Sequence, residues 1–384
     1  MKRIKEVLLN PISDLVENGK MIGILLIGAT IFSLSLSNSE FSAPYLNLWH
    51  TEIGFSFLHK SIEHWINDGL MAVFFLLVGI EIKREFLRGE LANREQAILP
   101  VVAALGGIMF PVIIFCLFNG KNPEVLHGWA IPTATDIAFS LGILSLLGSR
   151  IPFALKVFLT ALAIIDDLAA IVIIAIFYTN GIHIMMLLAA MGIFAILLLL
   201  NLFKVRILSL YLITGLFLWY FILKSGIHAT IAGVLLALAI PGEIAEDFEH
   251  QLNKPVNYLI LPLFALANTA LQLSFDQISE ILSPLSLGIM AGLFLGKPLG
   301  ITLASWILIK IRRSSLPQNV NWKQVAGLGL TAGIGFTMSI FIASLSFVDE
   351  RHITTAKLAI LTGSFISAIG GLIVLRVTSK DFPQ

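Results

Sequence analysis

Apolar runs of about 20 residues, the length an α-helix needs to cross a bilayer core, recur along the whole chain. The pattern predicts twelve spans, near residues 20–37, 61–86, 95–118, 124–146, 152–178, 184–203, 206–223, 226–241, 255–273, 285–310, 323–346 and 354–377. The opening stretch, MKRIKEVLLNPISDLVENGK, is basic and amphipathic and runs into the first apolar segment without a small-residue cleavage site. It predicts a surface helix leading into a retained span. Only two connections, 38–60 and 241–254, are long enough to hold structure of their own, so no extramembrane catalytic domain is expected. In the first, YLNLWHTEIGFSF at 45–57 mixes aromatic and β-branched positions with Gly54 as a turn former, which predicts a small external β-hairpin. The hairpin would serve either as an ordered cover or as a dimer contact. In the second, Glu243, Glu246, Asp247, Glu249 and His250 read as a solvated acidic loop. The sharper alternative is a proton antenna, because crowded carboxylates hold protons more tightly and histidine titrates near neutrality.

Composition agrees with the spans. Hydrophobic residues make up 57% and charged residues 13%, about half the charged share of a soluble domain, and the mean hydropathy is +0.91. A net charge of +1 with no basic patch argues against a nucleic-acid partner. The single cysteine, Cys116, excludes an intrachain disulfide and a thiolate metal site. Of the 25 Lys and Arg residues, only Lys60, Lys121, Lys224, Arg351 and Lys357 fall on one side of the predicted spans, Lys297 falls inside, and all the others fall on the opposite side. By the positive-inside rule both termini are cytoplasmic, as an even number of spans requires.

The candidate chemistry lies in the charges that burial penalises. LAIIDDLAAIVIIAIF at 162–177 puts Asp166 and Asp167 inside an apolar span, at a cost of about 2.5–3.5 kcal/mol for each carboxylate. Neighbours on a helix point in different directions, so the two acids can address different partners, a mobile cation and a fixed positive charge. Lys297, in LFLGKPLGIT, is the one basic residue well inside a span. An Asp166–Lys297 pair satisfies both charges, either as part of a site or as a purely stabilising ion pair. A third acid, Asp136, follows Pro132, Thr133 and Thr135 in GWAIPTATDIAFSLGIL, where proline predicts a break in the helix. Inside a membrane a break is tolerated only where the freed backbone groups meet polar partners or line a cavity. GLTAGIGFTMSIFIAS at 329–344 is interrupted in a similar way by Gly333 and Gly335. Each interrupted segment is the middle of a three-helix group, which suggests repeats near 95–178 and 285–377.

WINDGLMAVFFLLVGIEIKRE, WAIPTATDIAFSLGIL, TALAIIDDLAAI, LKSGIHATIAGV, LILPLFALANT, GLFLGKPLGI and GIGFTMSIFIASL carry a resemblance, from about 65 to 377, to NhaA-type sodium/proton antiporters. The resemblance implies an all-α polytopic membrane protein, a single transmembrane antiporter domain over 1–384. It implies twelve helices, two inverted-topology repeats and two discontinuous helices that cross near the bilayer midplane. It implies cation and proton binding at Asp167 and Asp166 with Thr135 as an oxygen donor, a salt bridge from Asp166 to Lys297, and charge balance at the crossing by Asp136 and Lys297. Glu81, Glu85, Glu249 and His228 occupy positions linked to pH regulation. The implied ligands are sodium or lithium and protons, with no cofactor; the implied setting is the bacterial inner membrane, as a homodimer. Two other classes fit the residues less well. An intramembrane aspartyl protease would need a GxGD pattern that is absent, and a cation channel would leave the buried Lys297 and the paired interruptions without a role.

Overall fold

The computed structural model describes residues 2–55, 58–179 and 181–379, and they are mostly helical. Among the described residues, eight helices are long and apolar enough to cross a membrane, or ten if each of two bent pairs counts as one span. The opening residues continue into the first span as one helix, Lys2–Ser37. The chain divides into two compact units.

The first unit comprises Met1–Ile27, Gly89–Ala170 and Leu273–Gln384. It contains both bent pairs. Pro123–Thr133 and Ile137–Leu146 meet at 46°, and Trp322–Ala332 and Phe336–Ser346 meet at 47°. The expected breaks are therefore present, with residues 134–136 and 333–335 outside α-helix. In the same unit, helices Arg94–Asn119 and Pro284–Lys310 lie in backbone contact. A Cβ on Gly106 would stand 2.3 Å from the Gly300 carbonyl oxygen, and one on Gly300 would stand 2.1 Å from that of Gly106. Only glycine fits at either position. Pro284–Lys310 is not α-helical throughout: Gly292–Gly296, just before Lys297, forms a wide π turn.

The second unit comprises Gly28–Arg88 and Ile171–Gln272. The predicted hairpin is there, displaced along the chain. Ser42–His50 is a helix, and strands β1 (Glu52–Phe55) and β2 (Leu58–Ser61) pair antiparallel with Glu52 opposite Ser61. Gly54 lies within β1 at φ 133° and is not a turn residue; residues 56 and 57, which join the strands, lie outside the described residues. The larger correction concerns 241–254. The expected acidic loop is a helix, Gly242–Pro255, which continues through a π turn at Val256–Ile260 into Leu261–Asn268. Its buried residues Ala245, Phe248, Glu249 and Leu252 fall at i, i+3, i+4 and i+7, one face of a helix. The acidic composition hid a helical period. The span expected at 226–241 contains the α-helix Ile231–Ala239, which starts after Thr230 and ends before Pro241, while Gly226 in the left-handed region closes the preceding helix Leu208–Ser225.

Candidate functional site

The breaks explain the site, because each unwound stretch leaves helix ends whose backbone groups need partners. The two broken segments supply them to each other. Asp136 N–H donates to Ile334 O at 2.7 Å. Ser140 Oγ donates to Thr331 O at 2.8 Å, and Ser339 Oγ donates to Ile131 O at 2.7 Å. Ser140 and Ser339 each sit in the first turn of their short helix, so the exchange is reciprocal.

Positive helix ends are met by Asp136. As the N-cap of Ile137–Leu146, its Oδ1 accepts from Phe139 N–H at 2.9 Å. Its Oδ2 accepts from Thr337 N–H at 3.1 Å, in the first turn of the other short helix, and from the Thr337 hydroxyl. One carboxylate thus serves two N-termini, where the helix dipoles favour negative charge.

Lys297 stands at the same crossing and is wholly buried. It forms an ion pair with Asp166 Oδ2 and donates to Thr135 Oγ1 at 2.9 Å. The Thr135 hydroxyl lies 2.7 Å from Asp166 Oδ2 and 2.8 Å from Ala332 O. It has one proton to give to these two acceptors. Asp166 Oδ1 is buried with no hydrogen-bond partner among the described residues. Asp167, the next residue of Phe153–Phe177, is only 2% exposed. Sequence reasoning identified Asp136, Thr135, Asp166, Asp167 and Lys297, and the structure gathers the first three and Lys297 in one hydrogen-bonded region. It noted Thr337 and Ser339 only as polar positions after the second interruption, and it missed Ser140 and Ser364. Hydroxyl residues are common in spans, and the partners of these four are distant in sequence.

A cavity of about 810 Å³ opens in the same unit. Its lining includes Glu90, Glu95, Phe153, Phe158, Ala161 and Ser314. Ala161 precedes Asp166 by five residues on one helix, a rise of about 7.5 Å.

The residues that the family resemblance links to pH regulation fall in two places in the second unit. Arg84 forms an ion pair with Glu249 and a second with Glu85 at 3.2 Å, and all three side chains are largely buried. Glu81 lies within electrostatic reach of Arg84, Glu85 and Glu249. Burial pushes the Glu249 carboxyl up, while Arg84 pulls it back. The other acids of this helix also meet arginines: Glu246 pairs with Arg88, and Glu243 with Arg206 at 2.8 Å. His228 is elsewhere. Its Nε2–H donates to Tyr178 O at 2.6 Å, and Asp68 lies within electrostatic reach. Asp68 precedes Glu81 by 13 residues along the Ile62–Arg88 span, or roughly 20 Å.

Comparison with known proteins covers nearly the whole chain. The profile of the family described as Na+/H+ antiporter 1 matches residues 13–375. Na(+)/H(+) antiporter NhaA 2 of Flavobacterium johnsoniae is 48% identical over 369 residues, 94% of this chain and 90% of that protein. Na(+)/H(+) antiporter NhaA of Cytophaga hutchinsonii is 48% identical over 374 residues, 96% and 95% of the two chains. Na(+)/H(+) antiporter NhaA 1 of Klebsiella pneumoniae is 48% identical over 375 residues, 94% of each. Since the match runs through both broken helices and the buried charges between them, the chain belongs to the Na+/H+ antiporter 1 family, as a multi-pass membrane transporter and not an enzyme.

Proposed function

We propose that this protein exchanges intracellular sodium, or lithium, for external protons across the bacterial inner membrane, with both ions competing for Asp166 and Asp167. The observation that carries the reading is the state of Asp166. One carboxylate oxygen is held by Lys297 and Thr135, while the other has no hydrogen-bond partner among the described residues, and the next residue along the helix is a second buried aspartate. Hard cations such as sodium favour carboxylate and hydroxyl oxygens. The same oxygens bind protons, so occupancy by one ligand excludes the other. No cofactor is needed.

Exchange becomes obligatory if the site turns from one side to the other only when loaded, and an inward proton gradient then drives sodium out. Asp167 and either Asp166 or Lys297 titrate in each cycle, so more protons than sodium ions move and the process is electrogenic. The cavity ending near Ala161 supplies the cytoplasmic approach, with Glu90 and Glu95 attracting cations. The reciprocal bonds between the broken helices support two inverted repeats, near 95–178 and 285–377, in a twelve-helix domain spanning 1–384. Both termini are cytoplasmic, and the hairpin serves a homodimer. Glu81, Glu85 and Glu249 sense pH through Arg84, with His228 as a separate contributor.

Everted membrane vesicles carrying an established proton gradient test this reading. Sodium or lithium dissipates the gradient, and Asp167→Asn abolishes that response by at least about 100-fold. A folded wild type indifferent to sodium, or an Asp167→Asn variant that behaves like wild type, overturns the reading. An exchange ratio of one, insensitive to membrane potential, overturns the electrogenic part.

A further inference from the structure

The two broken helices solve the same capping problem with different residues. Asp136 caps Ile137–Leu146 from its own N-cap position. The matching position of Phe336–Ser346 is Gly335, which has no side chain to offer. A Cβ there would lie 2.1 Å from Ser339 Oγ, so the bond from Ser339 to Ile131 O, which ties the two broken segments together, depends on a bare backbone at 335.

The missing cap comes from another helix. Ser364, on Glu350–Thr378 and 5% exposed, accepts from Gly335 N–H at 3.2 Å and from Phe336 N–H at 3.1 Å. Thr337 N–H is taken by Asp136. Three successive amides at this helix start are thus satisfied, two by a neutral hydroxyl and one by the shared carboxylate.

We infer that Ser364 is a positioning residue for ion exchange, which caps the second broken helix in trans and so fixes the unwound segment whose neighbouring carbonyl, Ala332 O, competes with Asp166 for the Thr135 proton. The inference rests on the proposed exchange at Asp166 and Asp167. The chain of contacts is short. Ser364 holds the amides of Gly335 and Phe336; Ile334 O accepts from Asp136 N–H; Ala332 O accepts from Thr135, the residue before it. If the unwound stretch is released, Ala332 O moves and the Thr135 hydroxyl reorients at Asp166, although no ion ligand has been removed. A neutral cap also leaves Asp136 as the only formal charge among the groups capping the two helix starts. An acid at 364 would add a second negative charge to those starts.

Proteoliposomes measure sodium-dependent proton movement for wild type, Ser364→Ala, Ser364→Thr and Asp167→Asn, together with thermal unfolding in detergent. Ser364→Ala raises the apparent KM for sodium about tenfold, the size expected from one lost buried hydrogen bond, while the maximal rate changes less than threefold. Ser364→Thr, which keeps the oxygen, restores the wild-type KM. If Ser364→Ala does not accumulate, Ser364→Cys replaces it, being close in size but a weak acceptor, with the same KM shift expected. A wild-type KM in the Ala or Cys variant overturns the inference, as does a loss of stability and maximal rate at unchanged KM. Failure of wild type to exchange sodium, or an active Asp167→Asn, sinks the underlying function; loss of exchange in Asp167→Asn with wild-type kinetics in Ser364→Ala sinks only this inference.

Discussion

The crossing of the broken helices and the arginine-clasped carboxylates of the other unit both bury acids, but they satisfy them differently. At the crossing, Asp166 has one cation, Lys297, and Asp136 has two helix starts; each of these two acids is answered by fixed positive charge or backbone dipole. In the second cluster, Arg84 faces Glu85 and Glu249 directly, with Glu81 in reach, so acids outnumber bases. In the first arrangement the Asp166 charge is paired and buried, so its ionisation changes when a ligand or a movement changes the pairing. The second carries surplus carboxylates near the end of a span, and part of that surplus can be relieved by taking up a proton. The transport site and the pH sensor proposed above call for those two different states.

The most severe test of the contrast is Lys297→Met, which leaves the Asp166 carboxylate buried without its cation. Removing one member of a buried pair costs about 3–5 kcal/mol, whereas replacing both by apolar residues is often neutral. Thermal unfolding in detergent should therefore show a large loss for Lys297→Met and recovery of most of it in Asp166→Leu with Lys297→Met, with exchange absent in both. Equal losses in the single and double variants would remove the claim that charge balance governs the crossing.

The second test exploits the surplus. Because burial raises the Glu249 carboxyl, the folded protein keeps that proton over a pH interval in which the unfolded chain has released it. Its contribution to stability is present at low pH and is lost as pH rises through the folded value. Glu249→Gln, which cannot ionise, should flatten the decline of unfolding temperature as pH rises above the ordinary carboxylate range, with a smaller effect than Lys297→Met. An unchanged slope would show that Arg84 keeps Glu249 ionised throughout. The smallest effect is expected from Arg88→Gln. Its pair with Glu246 is about half exposed on the arginine side, so the loss in the same unfolding assay should stay below about 0.5 kcal/mol. A larger loss would extend the buried cluster outward to that pair.

How far the sequence revealed this contrast depends on what each feature costs. Asp166, Asp167 and Lys297 are legible because charge in an apolar span is expensive, and the first break is legible because Pro132 cannot continue the backbone pattern. The pairing of Asp166 with Lys297 also follows, since few cations were available. The helix Gly242–Pro255 was obscured because four acids in a short connection read as solvated, although Phe248 and Leu252 already sat one turn apart. The arginines that meet three of those acids could not be assigned: each is at least 37 residues away in the chain, and nothing local marks it as a partner. Ser364 was harder still. A serine in a span usually bonds its own helix, and only the placement of Gly335 beside it reveals that its oxygen is needed elsewhere.

The wide turn Gly292–Gly296 works as a phase setting for the lysine that follows it. A π turn holds one residue more than the α turn it replaces, so every side chain beyond it is indexed one step around the helix barrel. Shortening that turn by a single residue would rotate Lys297 by about 100° relative to the first half of its helix, enough to point its ammonium away from Asp166 while leaving composition and hydropathy almost unchanged.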